Sequence, residues 1–200
     1  MTSTARHPTR EELEAGLEAI RAAPADEGVL ELIVRRPAID AREVIETGVL
    51  DVEAGLIGDT WRVRGSSRTA DGTAHPDMQL NIMSSRAIAL VAGDCRWWSL
   101  AGDQLFVDLD LSEANLPPGT RLTVGPATVE VTDQPHTGCA KFVRRFGLDA
   151  MKFVNSPAGR SLRLRGLNAR VVKGGTITVG DLVRRLRAQG SSPVPEIPSS

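Results

Sequence analysis

Apolar positions recur along the chain in two rhythms, and each predicts its own kind of element. Leu13, Leu17 and Ile20 return at three- and four-residue intervals, the spacing that lines one face of a helix. Thr9 precedes them with Glu12 three residues on, a capping-box pattern, so a short amphipathic helix is predicted over 9–23, ending before Pro24. Val29 to Val34 is a β-branched apolar run stopped by Pro37, and 43–52 alternates about Val44, Val49 and Val52 with Gly48 as a candidate bulge. Both read as strands. The polar stretch from Arg62 to Pro76 reads as an exposed loop, of a length often functional or disordered.

Met78 to Met83 then predicts a strand, and Ser84 to Val91 a short helix capped by Ser84 or Ser85. Gln104 to Leu109 is another strand. Arg121–Val124 and Thr128–Thr132 flank Gly125-Pro126 as a hairpin that runs straight into the loop before Cys139. Helical spacing returns over 140–146 and 149–154. Leu162-Arg163-Leu164-Arg165 alternates strictly, and 167–173 and 176–179 flank Gly174-Gly175, a hairpin-type turn. Roughly nine short strands with few helices predict a β-rich α+β fold, a closed or nearly closed β-barrel decorated with short helices, because closure removes exposed edges. The organisation expected is an N-terminal helix and extension over 1–27, the barrel over 28–188, and a disordered Ser/Pro-rich tail over 189–200.

Composition changes this picture little. The chain is 41% hydrophobic and 24% charged with a net charge of -1, which is ordinary for a soluble domain and gives no reason to invoke nucleic acid. Its distribution is more informative: residues 1–60 carry 13 acidic and 6 basic side chains, whereas 141–187 carry 12 basic and 2 acidic. An anionic ligand or partner near that second block is one reading, a solvated basic face the other. Two cysteines 44 positions apart make neither a disulfide framework nor a metal motif, and a cytoplasmic setting follows. The sequence has no run of apolar residues long enough for a membrane span. Trp97 and Trp98 face either the core or a partner, with the core favoured because only 4% of residues are aromatic.

The chemistry concentrates in Gln134-Pro135-His136-Thr137-Gly138-Cys139-Ala140-Lys141-Phe142, where a thiol, an imidazole and an ammonium group fall within six residues. Pro135 and Gly138 oppose a regular strand, so the segment reads as a loop that delivers Cys139 to the start of the 140–146 helix. Free backbone donors there favour a thiolate. The competing reading is an inert buried cysteine. Histidines at 7, 75 and 136 have no zinc-type spacing with the cysteines, so no metal site made of protein ligands alone is expected. Nucleophile-elbow, phosphate-loop and dinucleotide patterns are absent from the sequence, which leaves the thiol as the candidate reactive group.

Pro135-His136-Thr137-Gly138-Cys139-Ala140-Lys141-Phe142, Arg145 to Ala150, Arg163 to Val172 and Val179-Gly180-Asp181 together resemble the MOSC domain, found at the C-terminus of molybdenum cofactor sulfurases and in small bacterial proteins that stand alone. Gly55 to Asp59 and Asp103 to Asp108 fit the same pattern, so the resemblance covers about 28–185. It implies a β-barrel fold, and it implies that Cys139 carries sulfur as a persulfide or ligates molybdenum in a bound pyranopterin cofactor. A thiolate suits both tasks. The cofactor phosphate gives the basic block a role, with Arg163, Arg165 and Arg170 as the first candidates to grip it and Asn168 and Asp59 as further contacts or plain hydrogen-bonding residues. His136 would orient the thiolate and Lys141 would lower its pKa by charge, or each is a surface residue. Only about 27 residues precede the barrel, too few for the pyridoxal-phosphate-dependent desulfurase domain of the full sulfurase. No pyridoxal phosphate site of its own is expected, and sulfur would come from a separate cysteine desulfurase or other donor. A molybdoenzyme or an electron-transfer protein is the other partner implied. Two further readings stand beside this one: a molybdenum-cofactor-dependent reductase of N-hydroxylated compounds, and a non-catalytic module whose basic face docks an acidic protein.

Overall fold

The computed structural model describes residue 5 and residues 7 to 187. The tail predicted over 189–200 lies outside the described residues. Strands in chain order are β1 (Glu27–Arg35), β2 (Glu43–Ile45), β3 (Thr47–Asp51), β4 (Gly55–Leu56), β5 (Leu80–Ser84) and β6 (Leu105–Asp108). They are followed by β7 (Arg121–Val124), β8 (Ala127–Val131), β9 (Leu167–Lys173), β10 (Gly175–Thr178) and β11 (Leu182–Leu186). Seven of them close into a ring in the order β1, β11, β7, β8, β9, β5, β6 and back to β1. Every pairing in the ring is antiparallel except β5 with β6. The closed or nearly closed barrel expected from the strand pattern is therefore present, and it is closed and mixed. β2 extends it beyond β1, and β10, β3 and β4 form a separate small sheet.

Alternation along the strands divides the interior into two cores. Leu30, Ile33, Ile82, Leu105 and Val129 point into the barrel and are essentially solvent-free. Val34, Met83 and Phe106, their neighbours of opposite parity, point outward into a second core under the helices. Each such side chain contributes about 1.5–3 kcal/mol by leaving water. β5 is buried at all five positions for this reason.

Most of the helices lie on that outward face. α1 (Arg10–Ala15) starts with the predicted capping box, in which Thr9 accepts from Glu12 N at 3.3 Å and Glu12 returns to Thr9 N at 2.8 Å. α2 (Leu17–Arg21) continues it past Gly16, and α3 (Trp61–Arg64) is a single turn. α4 (Ser85–Ala92) supplies the crossover between parallel β5 and β6, capped by Ser84. α5 (Ala140–Phe146), α6 (Leu148–Val154) and α7 (Pro157–Ser161) make up the connection from β8 to β9.

Three expectations need correction, and one strand went unforeseen. Leu162-Arg163-Leu164-Arg165 is not a strand: it is a pair of tight turns, with Arg163 at φ +47° and β9 starting only at Leu167. The alternation misled because Arg165 is itself buried, paired inward with a carboxylate, so polar did not mean outward. Gly174-Gly175 does not close a hairpin either. β9 pairs with β5 and β8, while β10 crosses to β3 in the small sheet, so the two glycines form a corner. A side chain at Gly174 would lie 2.8 Å from the Leu50 carbonyl oxygen. Gly48 is no bulge but a regular partner of Ile177, where a side chain would press on Leu56. β11, which closes the barrel, has one buried residue, Val183, and so shows almost no apolar pattern.

Candidate functional site

The loop from Thr132 to Cys139 leaves β8 and is held at both ends by asparagine side chains. Asn168 Nδ2 donates to the Gln134 carbonyl at 3.0 Å, and its own carbonyl accepts Thr132 N at 3.0 Å. Asn155 accepts Gly138 N at 2.9 Å and donates back to Gly138 O at 3.0 Å. A two-point clamp of this kind fixes a peptide plane in position and orientation. A side chain at Gly138 would approach Val154 at 3.0 Å and Asn155 at 3.3 Å, so the loop lies close on α6.

Cys139 occupies the N-cap of α5 with extended backbone angles, and its residue surface is exposed. Burial of the sulfur pushes the thiol pKa up, but the N–H groups of Phe142 and Lys141 and the charges of Arg165 and Arg145 outweigh it, leaving the thiol below its ordinary value. Lys141 thus acts through its backbone. Its ammonium group lies 3.8 Å from Asp40 Oδ1.

His136 is not a second charge beside the sulfur. Its side chain is 11% exposed. Burial, then repulsion from Arg165, brings its pKa down to about 3, with Asp103 pulling weakly the other way. The ring is therefore neutral at physiological pH. Its tautomer follows from the partners: Arg36 Nη1, which can only donate, lies 3.3 Å from Asn81 Oδ1, so Asn81 Nδ2 faces His136 Nδ1 at 3.0 Å. Nδ1 accepts, and the proton sits on Nε2. That nitrogen is 3.3 Å from Asp103 Oδ1 but out of line, so among the described residues neither atom has a hydrogen-bond partner.

Arg165 takes up the same carboxylate. Its Nη1 donates to Asp103 Oδ2 at 2.6 Å, its Nη2 donates to Ala101 O at 3.0 Å, and the guanidinium stands 5.2 Å over the Phe142 ring. Asn168 is fully buried, accepting from Asn81 across the β5–β9 pair at 2.6 Å. The Asp59 side chain is fully buried too, and its two oxygens accept from Arg36 and from the Trp61 N–H. Its role is to hold Arg36. Arg170 lies on the outer surface, paired with Asp77 and Glu130, and is brought neither to the thiol nor to a hollow.

Two hollows flank the thiol loop, and Cys139 lines neither. One, of about 370 Å³, is lined by Arg36, Arg42, Arg64 and Lys141, with Asp40 at its edge and Ile39 and Val63 at its mouth. Arg36 donates to the Gly102 carbonyl at 3.0 Å, and a side chain at Gly102 would meet Arg42 at 3.5 Å and Arg145 at 3.7 Å. Burial, then the charges of Arg145 and Arg36, lowers the pKa of Arg42, and burial with Arg36 does the same to Arg64. Arg42 Nε is buried without a partner. Among the described residues neither Arg42 nor Arg64 has a carboxylate in ion-pair contact. Nothing in the spacing of residues signals this cluster, because its arginines are scattered through the acidic half of the chain.

The other hollow, of about 480 Å³, lies on the far side of the loop and includes His136, Arg163 and Arg165. Arg163 and Arg165 therefore share a cavity without sharing a strand. The loop over 62–76 borders only the first hollow, through Val63 and Arg64.

A closed seven-stranded mixed barrel carrying an exposed N-cap thiol on one loop defines the class of protein. The MOSC domain model matches residues 75–184, and the chain belongs to that family. Among solved structures, it is similar to the YuaD protein from Bacillus subtilis at 17% identity and TM-score 0.55, covering 78% of this chain and 94% of that one. A hypothetical protein gives 19% identity and 0.53, covering 85% and 72%. YiiM from Escherichia coli gives 18% identity and 0.52, covering 80% and 70%. At these identities the likeness is one of fold. No curated protein sequence matches significantly. Among the described residues no helix is long and apolar enough to cross a membrane, and no three His, Cys, Asp or Glu side chains group to hold a metal ion.

Proposed function

We propose that the protein carries sulfur or holds a molybdenum cofactor through Cys139. The observation that carries this reading is the exposed thiol with lowered pKa, two residues before Lys141, which lines a hollow whose arginines outnumber their carboxylates. As a sulfur carrier, the Cys139 thiolate attacks the outer sulfur of a donor persulfide. A new S–S bond forms as the donor's own breaks, the donor leaves as a thiolate, and the outer proton travels with the transferred sulfur.

The residues also fit the cofactor. Cys139 offers a soft ligand to molybdenum, and Arg36, Arg42, Arg64 and Lys141 offer donors and charge to a phosphate, with the buried Arg42 Nε still unfilled. When bound, the group supplies redox chemistry that no side chain provides. In both readings the chain's own part is the same: Asn155 and Asn168 hold the loop, the N–H groups of Phe142 and Lys141 with the charges of Arg165 and Arg145 favour the thiolate, and neutral His136 anchors the loop to Asn81.

Expression together with cofactor biosynthesis, followed by metal analysis and intact mass, tests this. Wild type is expected to retain molybdenum or a sulfane sulfur on Cys139, and Cys139→Ser to lose it. Arg42→Gln is expected to lower molybdenum content while leaving persulfide formation intact. Wild type and Cys139→Ser alike in carrying neither would overturn the proposal.

A further inference from the structure

The 480 Å³ hollow is built differently from its neighbour. Arg160 lines it from α7 and Arg163 from the turn between α7 and β9, while Glu113 lines it from beside the end of α7, where its N–H donates to the Ser161 carbonyl at 2.9 Å, and Asp133 lines it from the thiol loop. Among the described residues none of these four is close enough to another to pair: Arg163 donates only to the Leu116 carbonyl, at 2.6 Å, and Glu113 reaches it only as a field. Burial lowers the pKa of Arg163 all the same, so a half-buried cation stands without a counter-ion. Its backbone is held at φ +47°, a costly region for a residue with a side chain and one that clusters at ligand sites. Two cations and two anions facing one cavity without touching leave opposite charges that a ligand with both signs would satisfy. Phosphate or a dicarboxylate would meet repulsion from Glu113 and Asp133. The volume is within the usual range for small molecules, and Pro118, Val154 and Leu167 provide an apolar wall.

We propose that this hollow binds a zwitterionic amino acid, its carboxylate on Arg160 and Arg163 and its ammonium group towards Glu113 and Asp133. The site goes beyond the thiol and cofactor reading and does not depend on it. Its place against the loop three residues before Cys139 makes the bound molecule a neighbour of that chemistry.

The test is calorimetric titration of the full chain carrying Cys139→Ser and Arg42→Gln, so that neither thiol chemistry nor anion binding in the other hollow plays a part, with the standard L-amino acids, succinate and inorganic phosphate as probes. At least one amino acid is expected to bind saturably, and more tightly than succinate or phosphate. Arg160→Gln, at an exposed position with no structural partner, is expected to weaken it about tenfold, and Glu113→Gln comparably. Arg163→Gln serves as a second variant, with Arg96→Gln, which lines neither hollow, leaving binding unchanged. Absence of saturable binding by any amino acid, equal binding of succinate or phosphate, indifference to Arg160→Gln, or loss on Arg96→Gln would each overturn the proposal.

Discussion

The inside of the barrel and the polar belt around Asp103 are both buried, yet they stand on different physics. Leu30, Ile33, Ile82 and Leu105 are interchangeable in kind, and each contributes by leaving water. Asn81, Asp103, Arg165 and Asn168 are buried too, and each is tolerated only because another member of the set meets it. A buried ion pair seldom stabilises more than apolar residues of the same volume. The belt therefore has its meaning in what it places next to Cys139, and the barrel has its meaning in stability.

The largest effect should come from breaking the belt on one side. Asp103→Ala leaves Arg165 buried without its carboxylate and is expected to cost about 3–5 kcal/mol in urea unfolding. Leu105→Ala, a cavity in the barrel, should cost about 2–5 kcal/mol. The comparison is sharpened by the double variant Asp103→Leu/Arg165→Met, which should recover most of the stability lost in Asp103→Ala while the thiol loses its guanidinium neighbour. A double variant as unstable as the single one would show that the belt holds the fold and not the sulfur.

Titration gives the next effect. Folded His136 has a pKa of about 3, well below the roughly 6.5 of an unfolded histidine. Below 6.5 the unfolded chain takes up a proton that the folded chain refuses. The contribution of His136 is thus complete above that pH and is lost progressively as pH falls towards 3, with a slope approaching 1.4 kcal/mol per pH unit, about the most one group can give. His136→Asn should flatten unfolding free energy across that window. An unchanged slope would mean that the ring is protonated in the native protein.

Much of the barrel was legible because its signals are local. The Thr9 and Glu12 cap, the hairpin of β7 and β8, and Cys139 at the head of α5 each declare themselves within a few residues. β11 was not legible, since closing a ring requires only one buried side chain from it and its neighbours in space are β1 and β7. The site divides along the same line. Cys139, His136 and Lys141 are adjacent in sequence, whereas Asn81, Asp103 and Asn155 are single polar residues that only the fold brings under the loop. The Arg163–Arg165 strand failed for a reason specific to the belt, because alternation reports burial only where polar residues are outside.

Asn155 is where belt and loop meet most weakly, and it carries the smallest predicted effect. It stands at the C-cap of α6, and its amide makes two hydrogen bonds to Gly138, the residue before the thiol. Asn155→Ala deletes both, but Gly138 N–H and C=O are only half-buried, so water can replace the lost partners. The cost in stability should be about 1–2 kcal/mol. The functional consequence should be disproportionate, because Gly138 without its clamp no longer fixes where the α5 N–H groups point relative to the sulfur. In a Cys95→Ser background, alkylation of the remaining thiol at neutral pH should slow in Asn155→Ala although access to it increases. Faster alkylation would mean that the clamp shields the thiol, and the division between a stabilising barrel and a thiol-positioning belt would have to be redrawn at this residue.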